Sequence, residues 1–364
     1  MSTLRTRAEI QRLARLLGVA TERLAYLEKI DVTALRQLRE RATGMLYDAD
    51  REHLQRIAAA PRLVPAAVTA LIAEKSLGPL LCARIAGVLP SDTALDIAKR
   101  LPDGFLADVC IELDPRRARA VVENMPVPRS VSISLELARR GEYVTMGRFV
   151  DILTLEALAA TIVALRDDAV LLKVAFFAED RPRMNKIIDK LPAARFGGII
   201  DASLAEGGEL WPEALSLIAE LEPRWRRKFG ELALTRDAAS IERIIRVSDA
   251  QGLWASLLPV ADLVEDPLAL QRLHEVLLKQ EPALLERMSA AGQNSATFAK
   301  LAALEWPAAL RKRLESITPG RCPGNGGKEA TRQAGGLSAT RQKRRRSLAA
   351  PPLSIPPSCR PATG

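Results

Sequence analysis

The sequence predicts an all-α protein, a solenoid or superhelix of short stacked helices, with a disordered basic C-terminal tail. Three observations carry this expectation. Apolar residues recur at i, i+3, i+4 and i+7 along most of the chain, a spacing that puts four side chains on one stripe of an α-helix. Between residues 78 and 126 these stripes are cut by stops at a period of twelve. Alternating strand patterns are almost absent, and Val131-Ser-Ile-Ser-Leu135, which does alternate, lies among helical stripes and reads as helix.

The elements follow in order. Residues 1–61 form an N-terminal helical region. Leu13, Leu16 and Leu17 make one stripe and Leu24 and Leu27 another. Asp31 can cap a long helix that carries Leu35, Leu38, Met45 and Leu46. Arg and Glu between them suit a solvated face, and the heptads are too short for a sustained coiled coil.

Residues 62–317 form the helical-repeat body. Cys82, Ile85, Ala86 and Leu89 precede Pro90; Ala94, Ile97, Ala98 and Leu101 precede Pro102. Leu106, Val109, Cys110 and Leu113 precede Asp114; Ala118, Val121, Val122 and Met125 precede Pro126. Proline cannot continue a helix but can open the next one. Each unit is then a helix of about ten residues and a tight turn, roughly 15 Å long. A helix that short cannot bury its stripe alone and has to stack on neighbours.

The pattern loosens further on, with ridges closing at Leu153, Leu191, Leu221 and Leu277 and longer connections at residues 139–142 and 206–209. A unit of two helices in roughly 24–30 residues fits these gaps. X-Pro steps at Pro115, Pro182, Pro212, Pro223, Pro267, Pro282 and Pro307 read as helix starts. Residues 318–364 form the tail, with seven Pro, seven Gly and the cluster Arg341, Lys343, Arg344, Arg345 and Arg346.

The stretch Leu89–Pro126, LPSDTALDIAKRLPDGFLADVCIELDPRRARAVVENMP, has short helices punctuated by LP and LDP with paired apolar residues three and four before each stop. It resembles the N-terminal cytoplasmic helical domain of MgtE-type magnesium transporters, loosely to about residue 205, and more distantly the helices of flagellar motor switch proteins. The resemblance implies a cytoplasmic superhelical module that senses or contacts another component. It also implies that acidic residues of the domain help bind magnesium at the contact with a paired CBS domain. In that family the CBS pair and a membrane pore follow; neither pattern follows here, so channel activity is not implied.

Composition bounds the rest. With 48% apolar residues in 364 the chain can build a sizeable core. No apolar run exceeds about ten residues, where a spanning helix needs about 20, so no membrane span is expected, and no secretory leader is visible. From Pro319 onward there are nine basic residues and one acid, so the body holds 44 basic and 43 acidic groups of the chain's 53 and 44. The pI of about 9.6 therefore describes the tail, whereas a nucleic-acid-binding fold clusters its Lys and Arg on a folded face. Arg outnumbers Lys 41 to 12, which reads as compositional bias.

Cys82 and Cys110 fall on apolar ridges as buried inert thiols, and with Cys322, Cys359, His53 and His274 they form no zinc spacing. A reducing cytoplasm fits. Asp92, Asp103, Asp114, Asp167, Asp168 and Asp180 recur at turns, where helix capping outweighs weak Mg²⁺ binding. His274 reads as a satisfied core histidine, and residues 143–149 as a loop–helix junction with core aromatics. Trp225-Arg-Arg-Lys228 offers either a partner anchor or a Trp stacked on guanidinium groups, and Gly197-Gly198 a close helix contact or a break. No nucleotide-binding or nucleophile motif occurs, so no catalytic or cofactor-binding residue is assigned. The expected function is a non-enzymatic cytoplasmic scaffold or regulatory module mediating protein–protein contacts. The alternative is a nucleic-acid-associated protein that uses Arg341, Lys343, Arg344, Arg345 and Arg346 against phosphates or another anionic surface.

Overall fold

The computed structural model describes residues 2–49, 51–59, 64–292, 295–297 and 300. Among these residues there are twenty α-helices and no strand. The N-terminal part holds α1 (Ser2–Leu17), α2 (Val32–Asp48) and α3 (Arg51–Ala59), with a 3₁₀ segment over Thr21–Lys29. Next come α4 (Ala66–Ile72), α5 (Gly78–Ala86), α6 (Ser91–Ala98), α7 (Asp103–Glu112), α8 (Arg119–Glu123), α9 (Val127–Arg139) and α10 (Tyr143–Val150). Then follow α11 (Leu155–Ala164), α12 (Asp168–Phe176), α13 (Arg181–Ile188), α14 (Ala193–Leu204) and α15 (Trp211–Ile218). The last are α16 (Pro223–Leu234), α17 (Ala238–Ala250), α18 (Trp254–Ala261), α19 (Pro267–Leu277) and α20 (Pro282–Ala291).

The helices stack every second one. α3 packs on α5, α5 on α7, α7 on α9, α9 on α11 and α11 on α13. A second row runs α4, α6, α8, and a third α10, α12, α14, α16, α18. The repeating unit is thus a helix pair, as the twelve-residue period implies, because successive helices alternate sides and a ridge meets its like two elements later. The ridges face inward: Ile85, Ala94, Ile97, Leu101, Leu106, Val109, Leu113 and Val122 are all buried. Pro90, Pro102, Pro126 and Pro192 sit immediately before α6, α7, α9 and α14 in extended conformation, while Pro182, Pro212, Pro223, Pro267 and Pro282 lie inside first turns. Pro115 differs: it lies in the turn before α8, not in a helix.

In the N-terminal part, Asp31 caps α2, its carboxylate accepting from the N–H groups of Thr33 (2.8 Å) and Ala34 (3.2 Å). The apolar stripe expected on α2 is only partly covered. Leu35 is buried against Ile10 and Leu13 of α1, but Leu38, Met45 and Leu46 face outward.

Ala66–Ala86 departs from expectation. These 21 residues form a helical stretch long and apolar enough to cross a membrane by length and composition, with mean hydropathy 1.4. Glu74, Lys75 and Ser76 interrupt the apolar run, so no continuous run announces it. The stretch is not one rod: Ala73–Leu77 is a π-helical turn and Gly78, at φ +75°, restarts the chain as α5. A left-handed φ there favours glycine. Ala70, Ala73, Ala83 and Ile85 pack into the body.

One contact recurs through the stack. Arg129 of α9 donates to the Ala98 (3.4 Å) and Leu101 carbonyls at the end of α6. Arg148 of α10 donates to Leu113 O (2.9 Å) after α7. Arg183 of α13 reaches Asp151 O (3.2 Å) and Leu153 O after α10. Arg195 of α14 reaches Ile162 O (3.0 Å) and Leu165 O (2.7 Å) at the end of α11. Arg243 of α17 and Arg272 of α19 do the same for Leu204 O (3.0 Å) and Thr235 O (3.2 Å). Each helix end is closed by a side chain from the third helix on. The last carbonyls of a helix lack partners and carry the negative end of its dipole, and a guanidinium supplies a fork of donors on a long stem. Lys300 closes the end of α18 in the same way, through Asp262 O (2.8 Å) and Val264 O (2.6 Å). The arginine surplus therefore has a structural use beyond compositional bias.

Arg195→Met should lower stability by about 2–3 kcal/mol, since it removes two charge-assisted bonds to carbonyls and the ion pair to Asp168 (2.6 Å). A urea midpoint that falls at constant m-value would show this; an unchanged midpoint would mean water replaces the clasp.

Candidate functional site

The acids singled out at turns serve the fold. Asp167 caps α12 through the N–H groups of Ala169 (2.8 Å) and Val170 (3.3 Å), and Asp180 caps α13 through that of Arg183 (3.0 Å). Asp103 pairs with Arg129 (2.5 Å) and accepts from Ser132, Asp114 accepts from Arg116 N–H (3.2 Å), and Asp168 pairs with Arg195. Asp92 lies in the first turn of α6. No group of three His, Cys, Asp or Glu side chains that could hold a metal ion is present among the described residues. Most of these acids are engaged by backbone N–H groups or arginines, and among them Asp114 and Asp180 come together in one cleft.

Cys82 and Cys110 are free thiols. Burial pushes Cys82 up to about 11 and Cys110 up to about 12, so both stay protonated and unreactive near neutral pH. His274 is buried in α19, and His53 is exposed on α3. In α10, Thr145, Met146, Gly147 and Phe149 are buried, so this segment is core. Trp225 stacks on Phe196 at 5.5 Å with Arg224 over its ring at 5.0 Å. Gly197 and Gly198 do not break α14; a Cβ there would collide with the Arg236 guanidinium and the Asp168 carboxylate. Cys322, Cys359, Trp306-Pro307, Arg341, Lys343, Arg344, Arg345 and Arg346 lie outside the described residues.

Three features were not anticipated. The first is a buried ion network that joins α1 and α2 to the body. Glu9, only 1% exposed, accepts from Arg12 Nη1 (2.5 Å), Arg39 Nε (3.0 Å) and Arg36 (3.3 Å). Glu179 accepts from Arg39 (2.9 Å) and Arg116 (3.0 Å), and Arg12 donates to Phe177 O (2.7 Å). Burial pulls Arg12 below the usual arginine range. Burial alone would raise Glu179, but Arg39, Arg12 and Arg116 outweigh it and hold that carboxyl below the ordinary range. Beside it opens a polar cleft of about 390 Å³ whose carboxylates are Glu40, Asp114, Asp151, Glu179 and Asp180. Each is engaged by an arginine or by backbone N–H groups, an arrangement that holds structure rather than leaving an acid or base poised for proton transfer.

The second feature is an apolar surface. Among the described residues, ten of the thirteen large apolar side chains that face solvent fall between Leu17 and Leu80. Met45 is 76% and Leu71 57% exposed. Val68, Leu71 and Ile72 share the i, i+3, i+4 face of α4.

The third is a pair of adjoining, partly open apolar pockets along the stack, the second of which reaches the surface at Ile72. One part, about 180 Å³, runs between α7–α9 and α16; the other, about 270 Å³, runs from α3 to α10. Both are lined by Cys110, Val122, Met125, Ile133 and Phe149, where they meet, and neither has a charged side chain in its wall. Ser130 of α9 and Thr161 of α11 line the first part, both more than nine-tenths buried, and neither hydroxyl oxygen has a hydrogen-bond partner. Sequence patterns could not reveal the pair, since a void is a difference between packings, though three hydroxyl residues on otherwise apolar ridges (Ser130, Ser134, Thr161) were a readable trace.

The fold defines the chain's class as an all-α stack of short helices. Comparison with known proteins finds no family model, no curated protein and no solved structure that matches it.

Proposed function

We propose that the chain is a non-enzymatic helical-repeat scaffold or regulatory module whose partner is an amphipathic helix of another protein. The observation that supports this is the concentration of exposed apolar side chains between Leu17 and Leu80. Exposed apolar residues that share a face mark interaction sites, as Val68, Leu71 and Ile72 do on α4. Val68, Leu71 and Ile72 on α4, and Leu38, Met45 and Leu46 on α2, are spaced as helix ridges that fit the groove of a facing helix. Arg36, Glu40 and Arg41 flank the α2 ridge, so a partner helix with mixed charge beside its apolar stripe is favoured. A cytoplasmic location and a likeness to the magnesium-transporter domain belong to the same proposal and rest on the sequence resemblance alone.

The test is affinity capture with the whole chain, with Met45→Glu/Leu71→Glu, and with residues 319–364 removed. Both substituted side chains are exposed, so stability should change by less than about 0.5 kcal/mol. A stoichiometric protein partner that survives tail removal and is lost with the double variant, while the melting curve is unchanged, is the expected result. Binding that follows the tail, falls steeply with salt and involves nucleic acid would overturn the scaffold in favour of the basic cluster. Partition of the wild-type chain into lipid vesicles through the same face would overturn it in favour of the apolar Ala66–Ala86 stretch.

A further inference from the structure

We propose that the polar space between the α1–α2 pair and the body binds one phosphate dianion, free or as the head of a small phosphomonoester, between Arg39 of α2 and Arg148 of α10. This site is independent of the scaffold reading and lies in a different part of the molecule from its apolar face.

Charge sets the sign of the ligand. Next to the polar cleft of about 390 Å³ lies a smaller one of about 140 Å³. Its wall carries Arg12 and Arg15 of α1, Arg39, Arg84 of α5 and Arg148, against a single acidic residue, Glu112. In the larger cleft five carboxylates match five arginines, so the excess of positive charge lies in the smaller one. Carboxylates outside its wall hold three of these arginines: Glu9 and Glu179 pair with Arg12 and Arg39, and Glu142 with Arg15. Glu9 and Glu179 are themselves shared, with Arg36 and Arg116. A cleft lined by one sign of charge between low-dielectric walls concentrates the opposite ion.

Spare donors fix the place. Each guanidinium has five N–H donors. Arg148 uses Nη2 on Leu113 O (2.9 Å), and Asp114, its ion-pair partner among the described residues, stands 3.9 Å away. Arg39 uses Nε on Glu9 and Nη2 on Glu179. Arg148 Nε and Nη1 and Arg39 Nη1 have no hydrogen-bond partner among the described residues, yet none of them is one of the sealed orphan atoms, so all three open to solvent. Arg39, Thr43 and Arg148 wall both clefts, which places these donors where the two adjoin. Burial holds Arg148 below the usual arginine range; Asp114 opposes that shift and the Arg39 charge adds to it. Phosphate answers this pair better than a carboxylate does. It carries about −1.5 to −2 at pH 7, and its oxygens accept guanidinium forks two at a time. Space keeps the ligand small. On a scale where about 150 Å³ holds one benzene, the smaller cleft takes the phosphoryl group and little more, while the larger has room for a short substituent. A phosphate held there ties α2 to α10.

The test titrates the full chain by calorimetry at neutral pH and constant ionic strength, with sodium phosphate and separately with glycerol 3-phosphate. One equivalent should bind saturably, and the tighter of the two names the source of the phosphoryl group. The melting midpoint should rise with phosphate and not with sodium chloride of equal ionic strength. Arg148→Met should weaken binding at least tenfold, the scale of a lost charge-assisted hydrogen bond. Arg148 also closes the end of α7, so Thr43→Glu is the second variant and decides if the first does not fold. It sets a carboxylate on the wall shared by both clefts, at a half-buried position of α2 where glutamate is the better helix former. It should abolish binding without lowering the melting midpoint. Absence of saturable binding of either compound below about 10 mM to the folded chain would overturn the proposal. So would binding that Thr43→Glu leaves unchanged, which would move the phosphate to the basic cluster Arg341–Arg346.

Discussion

Replacing Glu9 with alanine is expected to lower the unfolding free energy by about 3–5 kcal/mol, the range for removing one partner of a buried ion network. Glu9 is buried beneath Arg12 and Arg39, whose side chains are only 5% and 10% exposed. Without it these guanidinium groups keep Glu179 as their remaining carboxylate partner. The contrast is Glu28, whose pairing with Arg7 (3.5 Å) is solvent-exposed on both sides; Glu28→Ala should change stability by less than about 1 kcal/mol. Denaturant titration of the two variants side by side checks the pair. Equal effects would mean that water enters the network and screens it.

The same network sets a pH dependence. Glu179 has a folded-state pKa below its ordinary value, so its ionised form is stabilised in the folded chain. That stability is fully present above the unfolded value, about 4.3, and is lost as pH falls through the lower folded value. Urea midpoints measured from pH 7 to 3 should therefore decline in acid, and the decline should shrink in Glu179→Gln.

Gly147→Ala should destabilise by about 2–3 kcal/mol even though alanine is the better helix former. In a helix interior the exchange gains about 1 kcal/mol in propensity. At this position the new Cβ would lie 2.5 Å from Phe177 Cβ, 2.6 Å from its carbonyl carbon and 2.7 Å from its carbonyl oxygen. Two of those three atoms are backbone, so α10 and the end of α12 must separate, and overpacking of this kind costs about 1–3 kcal/mol, occasionally more. Gly44 on α2 has nothing within 4 Å of its Cβ position, so Gly44→Ala should show the propensity gain alone. Opposite signs in the two melting midpoints are the expected outcome. A stabilised Gly147→Ala would mean that the α10–α12 contact is looser than described.

Much of the fold was legible because it is local. The ridges ending at Leu89, Leu101, Leu113 and Met125 each need only one helix's worth of sequence, and the structure buries Leu101 and Leu113 and half-buries Leu89 and Met125. Prolines 182, 212, 223, 267 and 282 mark first turns because a missing N–H costs nothing there. The α2 stripe misled, since Leu38 and Met45 repeat like core residues yet meet no covering helix. The arginines misled in the other direction: in composition they are a bias, but in space Arg148, Arg195 and Arg243 close helices 35, 33 and 39 residues earlier.

The amino-acid sequence by itself determined that this chain forms short helices and where most of them start and stop, because those choices depend on neighbours within about one turn. Tertiary structure alone decided that Glu9 meets Arg39, that Gly147 touches Phe177, and that Ser130 and Thr161 border one pocket without partners. Such meetings join residues 30 or so positions apart, and they are fixed by how stacked helices fill volume, a quantity that no periodicity along the chain encodes.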